Sequence, residues 1–285
     1  MGFLGAAVAV LLAPPALMAG LAVAENLRAG QLAQVRRLCG GRLAPSLARA
    51  LVNATWSLWL TALALPLGRF LGPKSEDAEQ TPVILVHGLY HNPAAWLVFG
   101  ARLATHGLTH QRSYAYSSFG PGFAEIVYGL AQTIREVAAT APEGRVLLVG
   151  HSLGGLVIRA ACAEPEIAHL VAGVVTLGAP HRGSTLANLA IGRLGRALIP
   201  EGEVLTYLQG LPVCRAPALS LSTPTDAMVL PLACAFLEER EKAAGWREAS
   251  VAPMSHVGLL YDAKTAAIAA EFLRECTRGE EPEKG

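Results

Sequence analysis

Aspartate is scarce in this 285-residue chain: Asp77, Asp226 and Asp262 are its whole complement. Charged side chains of both signs make up only 16% of the residues and leave a formal net charge of +1, with no basic patch. That absence excludes the electrostatic footprint of a nucleic-acid-binding protein. No His/Glu or Cys/His group has the spacing of a metal site, and neither a nucleotide-binding glycine pattern nor an internal repeat appears. No metal or organic cofactor is therefore expected. Apolar residues are abundant instead, at 52% with a mean hydropathy of +0.39, which suits a membrane-attached protein better than a freely soluble one.

Residues 145–149 (RVLLV) form an apolar run, residues 150–155 read GHSLGG, and residues 156–160 (LVIRA) continue as a helix. A strand, a glycine-pinched turn and a helix in so short a stretch describe a nucleophile elbow with Ser152 at its apex, flanked by His151. Gly150 and Gly154 omit Cβ atoms that would collide where strand and helix converge. A glycine-bracketed serine on its own is compatible with a structural turn; the flanking strand and helix favour the elbow. Upstream, residues 82–86 (PVILV) read as a strand buried on both faces. That strand ends in His87 and Gly88, so the backbone N–H groups of Leu89 and Leu153 are the candidate oxyanion donors. His87 itself is read as a packed, hydrogen-bonded side chain that shapes the loop.

An elbow serine calls for an acid and then a histidine further along the chain. Asp77 precedes Ser152 and Asp262 follows the best histidine, which leaves Asp226, in the turn after a strand at 217–222. Functional residues of α/β sheets sit at such carboxyl ends. A turn-forming aspartate is the plainer reading; Glu201 and Glu203 are substitutes, but neither follows a strand. Of the histidines after the serine, at 169, 181 and 256, only His256 also follows Asp226. His181, closing the strand next to the nucleophile strand, is the rival and is read as shaping the pocket rim.

The remaining pattern alternates: strands at 82–87, 111–116, 145–150, 171–178, 217–222 and 246–251, with helices near 93–107, 122–140, 153–164 and 263–275. This is the signature of βαβ units: an α/β fold with a mostly parallel central sheet and helices on both faces. Taken together, VHGL at 86–89, GHSLGG at 150–155, LGAPHRGS at 177–184, Asp226 with Val229 and Pro231, and SHVGLLY at 255–261 resemble the bacterial triacylglycerol lipases and related esterases of the α/β-hydrolase superfamily. The stretch at 256–261 is most like the small lipases with a minimal sheet. The resemblance covers roughly residues 80–275 and implies carboxylic ester hydrolysis through an acyl-enzyme. In that scheme Ser152 is the nucleophile, His256 the base and then the acid, and Asp226 its orienting partner. The partner is then a lipid or small-molecule ester. An acyltransferase or thioesterase would use the same triad; an inactive binding module is disfavoured because no catalytic group is missing.

Segment 183–211 carries Leu186, Leu189, Ile191, Leu194, Leu198 and Ile199, and reads equally as an amphipathic cap over an acyl cleft or as a connecting helix. Cys214 and Cys234 bracket the Asp226 loop, where a disulfide would brace the acid; buried free thiols are the ordinary alternative.

The first 71 residues differ in kind. Residues 2–24 and 50–68 are two uncharged runs, each near the length needed to cross a bilayer, with Pro14 and Pro15 expected to kink or break the first. They are read as an N-terminal apolar helical hairpin that anchors the enzyme, with 72–81 as a linker and 82–285 as the catalytic domain. Between the runs lie Arg28, Arg36, Arg37, Arg42 and Arg49 against Glu25. A loop so charged stays cytoplasmic, which puts the hydrolase in the periplasm of a bacterial cell. A cleaved leader is disfavoured, since no basic residue precedes the first run. The alternative is that both runs are helices packed on the hydrolase or lying in the membrane surface, with the enzyme cytoplasmic.

Overall fold

The computed structural model describes residues 2–68, 74–75 and 79–278, with side chains from residue 12 onward except at 67, 74 and 75. In chain order the elements are α1 (Gly2–Arg28), α2 (Leu32–Leu38), α3 (Leu43–Ala64), β1 (Lys74–Ser75), β2 (Val83–Val86), α4 (Leu97–Thr105), β3 (Gln111–Tyr114) and α5 (Phe123–Ala138). There follow β4 (Val146–His151), α6 (Leu153–Ala161), α7 (Pro165–Ala168), β5 (Val171–Leu177), α8 (Arg193–Arg196), α9 (Glu203–Gln209), β6 (Ala218–Ser222), α10 (Glu239–Ala243), β7 (Arg247–Ser250) and α11 (Ala263–Arg278).

Seven strands form one sheet in the order β1-β3-β2-β4-β5-β6-β7. Every neighbouring pair is parallel except β1 with β3. The central strands are buried along their whole length because both faces are covered, and their residues alternate between two cores. Ile84, Val86, Val146, Leu148 and Val174 face α5 and α6. Val83, Leu85, Leu147, Val149 and Val175 face α4 and α11. Helix α5 places Phe123, Ile126, Val127, Leu130, Ile134 and Val137 on one buried stripe, the spacing of an amphipathic helix. Edge strand β7 is exposed throughout. Its Arg247 pairs with Glu275 at 3.2 Å and lies over the Phe272 ring, a charged edge that resists further strand pairing.

Two features of the N-terminal part show how it joins the hydrolase. Within residues 72–81, expected to be a linker, Lys74 and Ser75 pair with Arg112 and Gln111; most of the rest of that stretch lies outside the described residues. The two helices also do not stand apart from the hydrolase. Asn26 Oδ1 accepts the Leu232 N–H at 2.9 Å and Gln31 Oε1 accepts the Ala233 N–H at 2.7 Å. Further along, Asn53 and Ser57 meet Ser255, and Thr61 meets the Tyr261 hydroxyl at 2.9 Å. Among the described residues no helix is long and apolar enough to cross a membrane; the expected span at 2–24 lies partly outside the described side chains. Helix α1 continues through Pro14 and Pro15.

Helix α3 docks with inverted polarity. The buried residues of α3 are Ser46, Ala50, Ser57 and Thr61, small or polar and on one face, while Val52, Trp56, Leu60 and Leu63 are exposed. A hydropathy profile counts such a helix as apolar and is silent about which face is inward. All five cysteines are free thiols, four of them buried. Cys214 is buried with Cys162 in the core that holds α5 and α6, whereas Cys234 packs with Val229 and Ala235. Of the two readings open from the sequence, free thiols hold and the Cys214–Cys234 bridge is absent.

Candidate active site

The turn between β4 and α6 holds Ser152 at φ 55° and ψ −124°, a region that a side-chain-bearing residue enters only under strain. The surrounding glycines are obligatory. A Cβ at Gly150 would stand 2.6 Å from the Gly155 nitrogen, and one at Gly154 would stand 2.1 Å from the Val86 carbonyl oxygen of β2. Gly154 thus clears the neighbouring strand rather than its own. Gly155, not singled out from the sequence, clears Ala179 in the same way, at 2.7 Å.

The loop after β2 passes directly over the serine: a Cβ at Gly88 would lie 2.9 Å from Ser152 Cβ. His87 shapes that loop. Its Nε2 accepts the Tyr116 N–H at 3.3 Å, so its proton is on Nδ1 and is donated to the Gly88 carbonyl at 2.9 Å. Tyr116 stacks on its ring at 4.3 Å and donates its hydroxyl to the His87 carbonyl at 2.7 Å. Burial lowers the His87 pKa to about 4, so the ring is neutral and structural. Leu153 is the first residue of α6, and the first N–H groups of a helix have no intrahelical acceptor. Leu89 and Ser152 line one cavity. Between Leu89 and the rest of its loop, Tyr90 takes φ 60° and is held by Ser118 Oγ on its N–H (2.7 Å) and by the Ile191 carbonyl on its hydroxyl (2.5 Å).

Asp226 and His256 meet as the chain order anticipated. Asp226 Oδ1 accepts the N–H groups of Met228 (2.7 Å) and Val229 (3.0 Å), and Oδ2 accepts His256 Nδ1–H at 2.7 Å. Both residues are buried. With its proton fixed on Nδ1, His256 keeps the Nε2 lone pair for the cavity that it shares with Ser152. His151 lies against the His256 ring at 4.6 Å and donates Nε2–H to the His256 carbonyl at 3.3 Å. Burial first, and the neighbouring His256 second, hold the His151 pKa well below its ordinary value. A neutral ring beside His256 does not oppose a positive charge there.

A second serine–histidine contact exists, His181 Nε2 to Ser220 Oγ at 2.9 Å, but its protons are arranged the wrong way. Arg159 Nη1 donates to His181 Nδ1 at 3.2 Å, so the ring proton is on Nε2 and is given to Ser220. His181 therefore cannot accept a proton from that serine. Arg159 is itself anchored by Glu241 at 2.5 Å in a buried ion pair. This is a cross-brace under the sheet.

The cavity at Ser152 has a volume of about 310 Å³ and apolar walls. Leu186, Leu189 and Leu198 come from segment 183–211, which is neither one helix nor a separate lid but a short 3₁₀ turn followed by α8 and α9. Leu17, Met18 and Leu21 come from α1, a contribution that the sequence reading missed because α1 was assigned to the bilayer. Among the described residues no group of three or more His, Cys, Asp or Glu side chains is placed to hold a metal ion.

With this geometry in hand, residues 83–278 match the alpha/beta hydrolase family. The chain belongs to that family. Over 122 residues it is 38% identical to a triacylglycerol lipase of Pseudarthrobacter phenanthrenivorans, and equally so to one of Burkholderia plantarii. Each match takes in 39% of this chain, and 36% and 32% of the two relatives, so the chain spans about a third of their length. Among solved structures, Aspergillus fumigatus lipase B superposes with a TM-score of 0.63 at 20% identity, covering 71% of this chain and 55% of that one. The mature Bacillus licheniformis lipase BlEst2 gives 0.57 at 19% identity, covering 71% and 96%. Both share the fold.

Proposed function

We propose that this protein is a serine esterase or lipase that cleaves carboxylic esters through an acyl-enzyme. The observation that carries the reading is the His256–Asp226 hydrogen bond of 2.7 Å with Ser152 on a strained turn in the same cavity; the triacylglycerol lipase relatives support it. Ser152 Oγ attacks the ester carbonyl carbon while His256 Nε2 takes the hydroxyl proton, and Asp226 stabilises the imidazolium. The N–H groups of Leu89 and Leu153 receive the oxyanion. As the tetrahedral intermediate collapses, the carbon–oxygen bond to the alcohol breaks and His256 returns the proton to the leaving alcohol. Water then attacks the acyl-enzyme, giving a proton to His256, and Ser152 recovers it as the acid departs.

The apolar walls favour an ester with an apolar acyl group. Exposed Leu17 and Leu189, 66% and 69% accessible, line the cavity, and Phe119 and Ile191 are exposed nearby on the Tyr90 contacts. Together with the outward Val52, Leu60 and Leu63 of α3, they support attachment of the enzyme to a lipid surface. A periplasmic placement of the hydrolase depended on both helices crossing the bilayer. Helix α3 docked by its polar face supports surface attachment without that crossing.

The test is hydrolysis of p-nitrophenyl esters from acetate to palmitate by the full chain, with Ser152→Ala and His256→Ala as controls. Turnover abolished by both substitutions and rising with acyl length is expected. Product that forms only when an alcohol acceptor is added would instead identify an acyltransferase. No reaction with a serine-directed fluorophosphonate would remove the enzyme reading altogether.

A further inference from the structure

His256 lies in a stretch without regular structure, between β7 and the 3₁₀ turn at Val257–Tyr261, and its place depends on what holds its neighbours. Asp226 takes the ring and His151 takes the carbonyl oxygen. Met254 is tied to the end of β6: its N–H goes to Thr223 Oγ1 at 3.0 Å, and its carbonyl accepts the Thr225 hydroxyl at 2.9 Å. The residue directly before His256 is held from outside the hydrolase family region altogether. Asn53 Oδ1, on α3, accepts both the Ser255 N–H at 3.0 Å and the Ser255 hydroxyl at 2.6 Å. Ser255 Oγ in turn receives the Gly258 N–H at 3.0 Å and lies 3.2 Å from Ser57 Oγ.

The contact is built on both sides. A Cβ at position 258 would fall 1.9 Å from Asn53 Oδ1, so only glycine there lets the carboxamide reach Ser255. On α3, Ser46, Ala50, Asn53, Ser57 and Thr61 follow one another at intervals of three or four residues, which puts them on one helix face. The inward face of α3 is thus matched, donor to acceptor, to the loop that carries His256.

From this we infer that Asn53 is a positioning residue for His256, acting through Ser255, and that the N-terminal hairpin is a working part of the active site. The inference rests on the triad proposed above. Without the Asn53 acceptor, two donors of Ser255 lose their partner and the loop shifts to satisfy them. A shift of the order of an ångström in a catalytic group costs on the order of a hundredfold in rate.

The experiment compares the full chain with Asn53→Leu, Asn53→Asp and Ser57→Ala on a soluble p-nitrophenyl ester, with rates referred to the folded fraction read by circular dichroism. Asn53→Leu is expected to lower kcat by about tenfold or more, with KM within about twofold. Asn53→Asp keeps an acceptor for both Ser255 donors and is expected to restore most of kcat. Its carboxylate beside the loop favours the imidazolium, so the acidic limb of kcat/KM against pH should move upward. Wild-type kcat in Asn53→Leu, or Asn53→Asp as damaged as Asn53→Leu, overturns the inference. If Asn53→Leu does not accumulate as folded protein, Ser57→Ala decides, with a loss of a few-fold in kcat at constant KM expected and an unchanged kcat overturning it. Ester turnover by the wild-type chain that Ser152→Ala abolishes keeps the functional reading intact whichever way the Asn53 variants fall.

Discussion

The body at 83–278 and the α3 helix of the hairpin are held in place by different means. In the body, apolar side chains face inward from both sides of a parallel sheet. In the hairpin, Asn26, Gln31, Asn53, Ser57 and Thr61 face inward and Val52, Leu60 and Leu63 face out. Apolar burial is non-directional and sets compactness; hydrogen bonds are directional and set position. The polar contacts of α3 are therefore suited to fixing where loops sit, while α2 adds a small apolar cluster in which Val35 and Cys39 pack with Leu232.

The sharpest break of this comparison is expected in the body. Asp226→Asn keeps the hydrogen-bonding shape but lets His256 take the wrong tautomer, and kcat should fall by about ten-thousandfold with little change in melting temperature. A melting temperature that collapses along with kcat would make Asp226 a structural turn residue instead.

Glycines offer the next contrast. Gly154→Ala forces a Cβ against the Val86 carbonyl and should destabilise by at least about 3 kcal/mol in urea unfolding. Gly30, in the hairpin turn at φ 69°, has open space around it, so Gly30→Ala should cost only about 1 kcal/mol from the left-handed backbone. Equal costs would mean that the hairpin turn is as constrained as the elbow.

Acid should act on the body through its buried neutral rings. Burial lowers the pKa of His87 to about 4 and of His91 to about 3, while the unfolded chain titrates near 6.5. Between those values the unfolded state binds more protons. Stability is therefore fully present above about pH 6.5 and is lost as pH falls toward 4, by up to about 3 kcal/mol for His87. Thermal melts across that window should show the decline, and a flat profile would contradict neutral burial.

The smallest effect should come from the outward side of the hairpin. Leu60→Gln with Leu63→Gln should leave hydrolysis of a soluble short-chain ester unchanged while reducing co-sedimentation with phosphatidylglycerol vesicles several-fold. Unaltered vesicle binding would assign that face some other cover.

How much of this was legible in the residues follows the same division. The elbow, the two-sided strand at Val83–Val86 and the meeting of Asp226 with His256 could be read because catalysis and parallel sheets restrict residue type and order closely. The scarcity of aspartate did much of that work. Strand β1 escaped notice because two residues, Lys74 and Ser75, carry no period. Helix α3 was read as a span because hydropathy averages over faces. Its clue was the spacing of Ser46, Ala50, Asn53, Ser57 and Thr61, a polar stripe inside an apolar run. Asn53 could not be assigned a role at all, since its partner is 202 positions away.

That separation has a consequence for synthesis. The hairpin leaves the ribosome before the body, and Leu232, Ser255 and Tyr261, the groups that receive it, are made 206, 202 and 200 residues after their partners Asn26, Asn53 and Thr61. Contacts of such range form late in folding. For most of translation the inward stripe of α3 is without its acceptors and donors, and its outward leucines need a temporary host. The nascent chain is thus a helical hairpin in search of shelter well before it can hold His256 in place, and its assembly is completed from both ends at once.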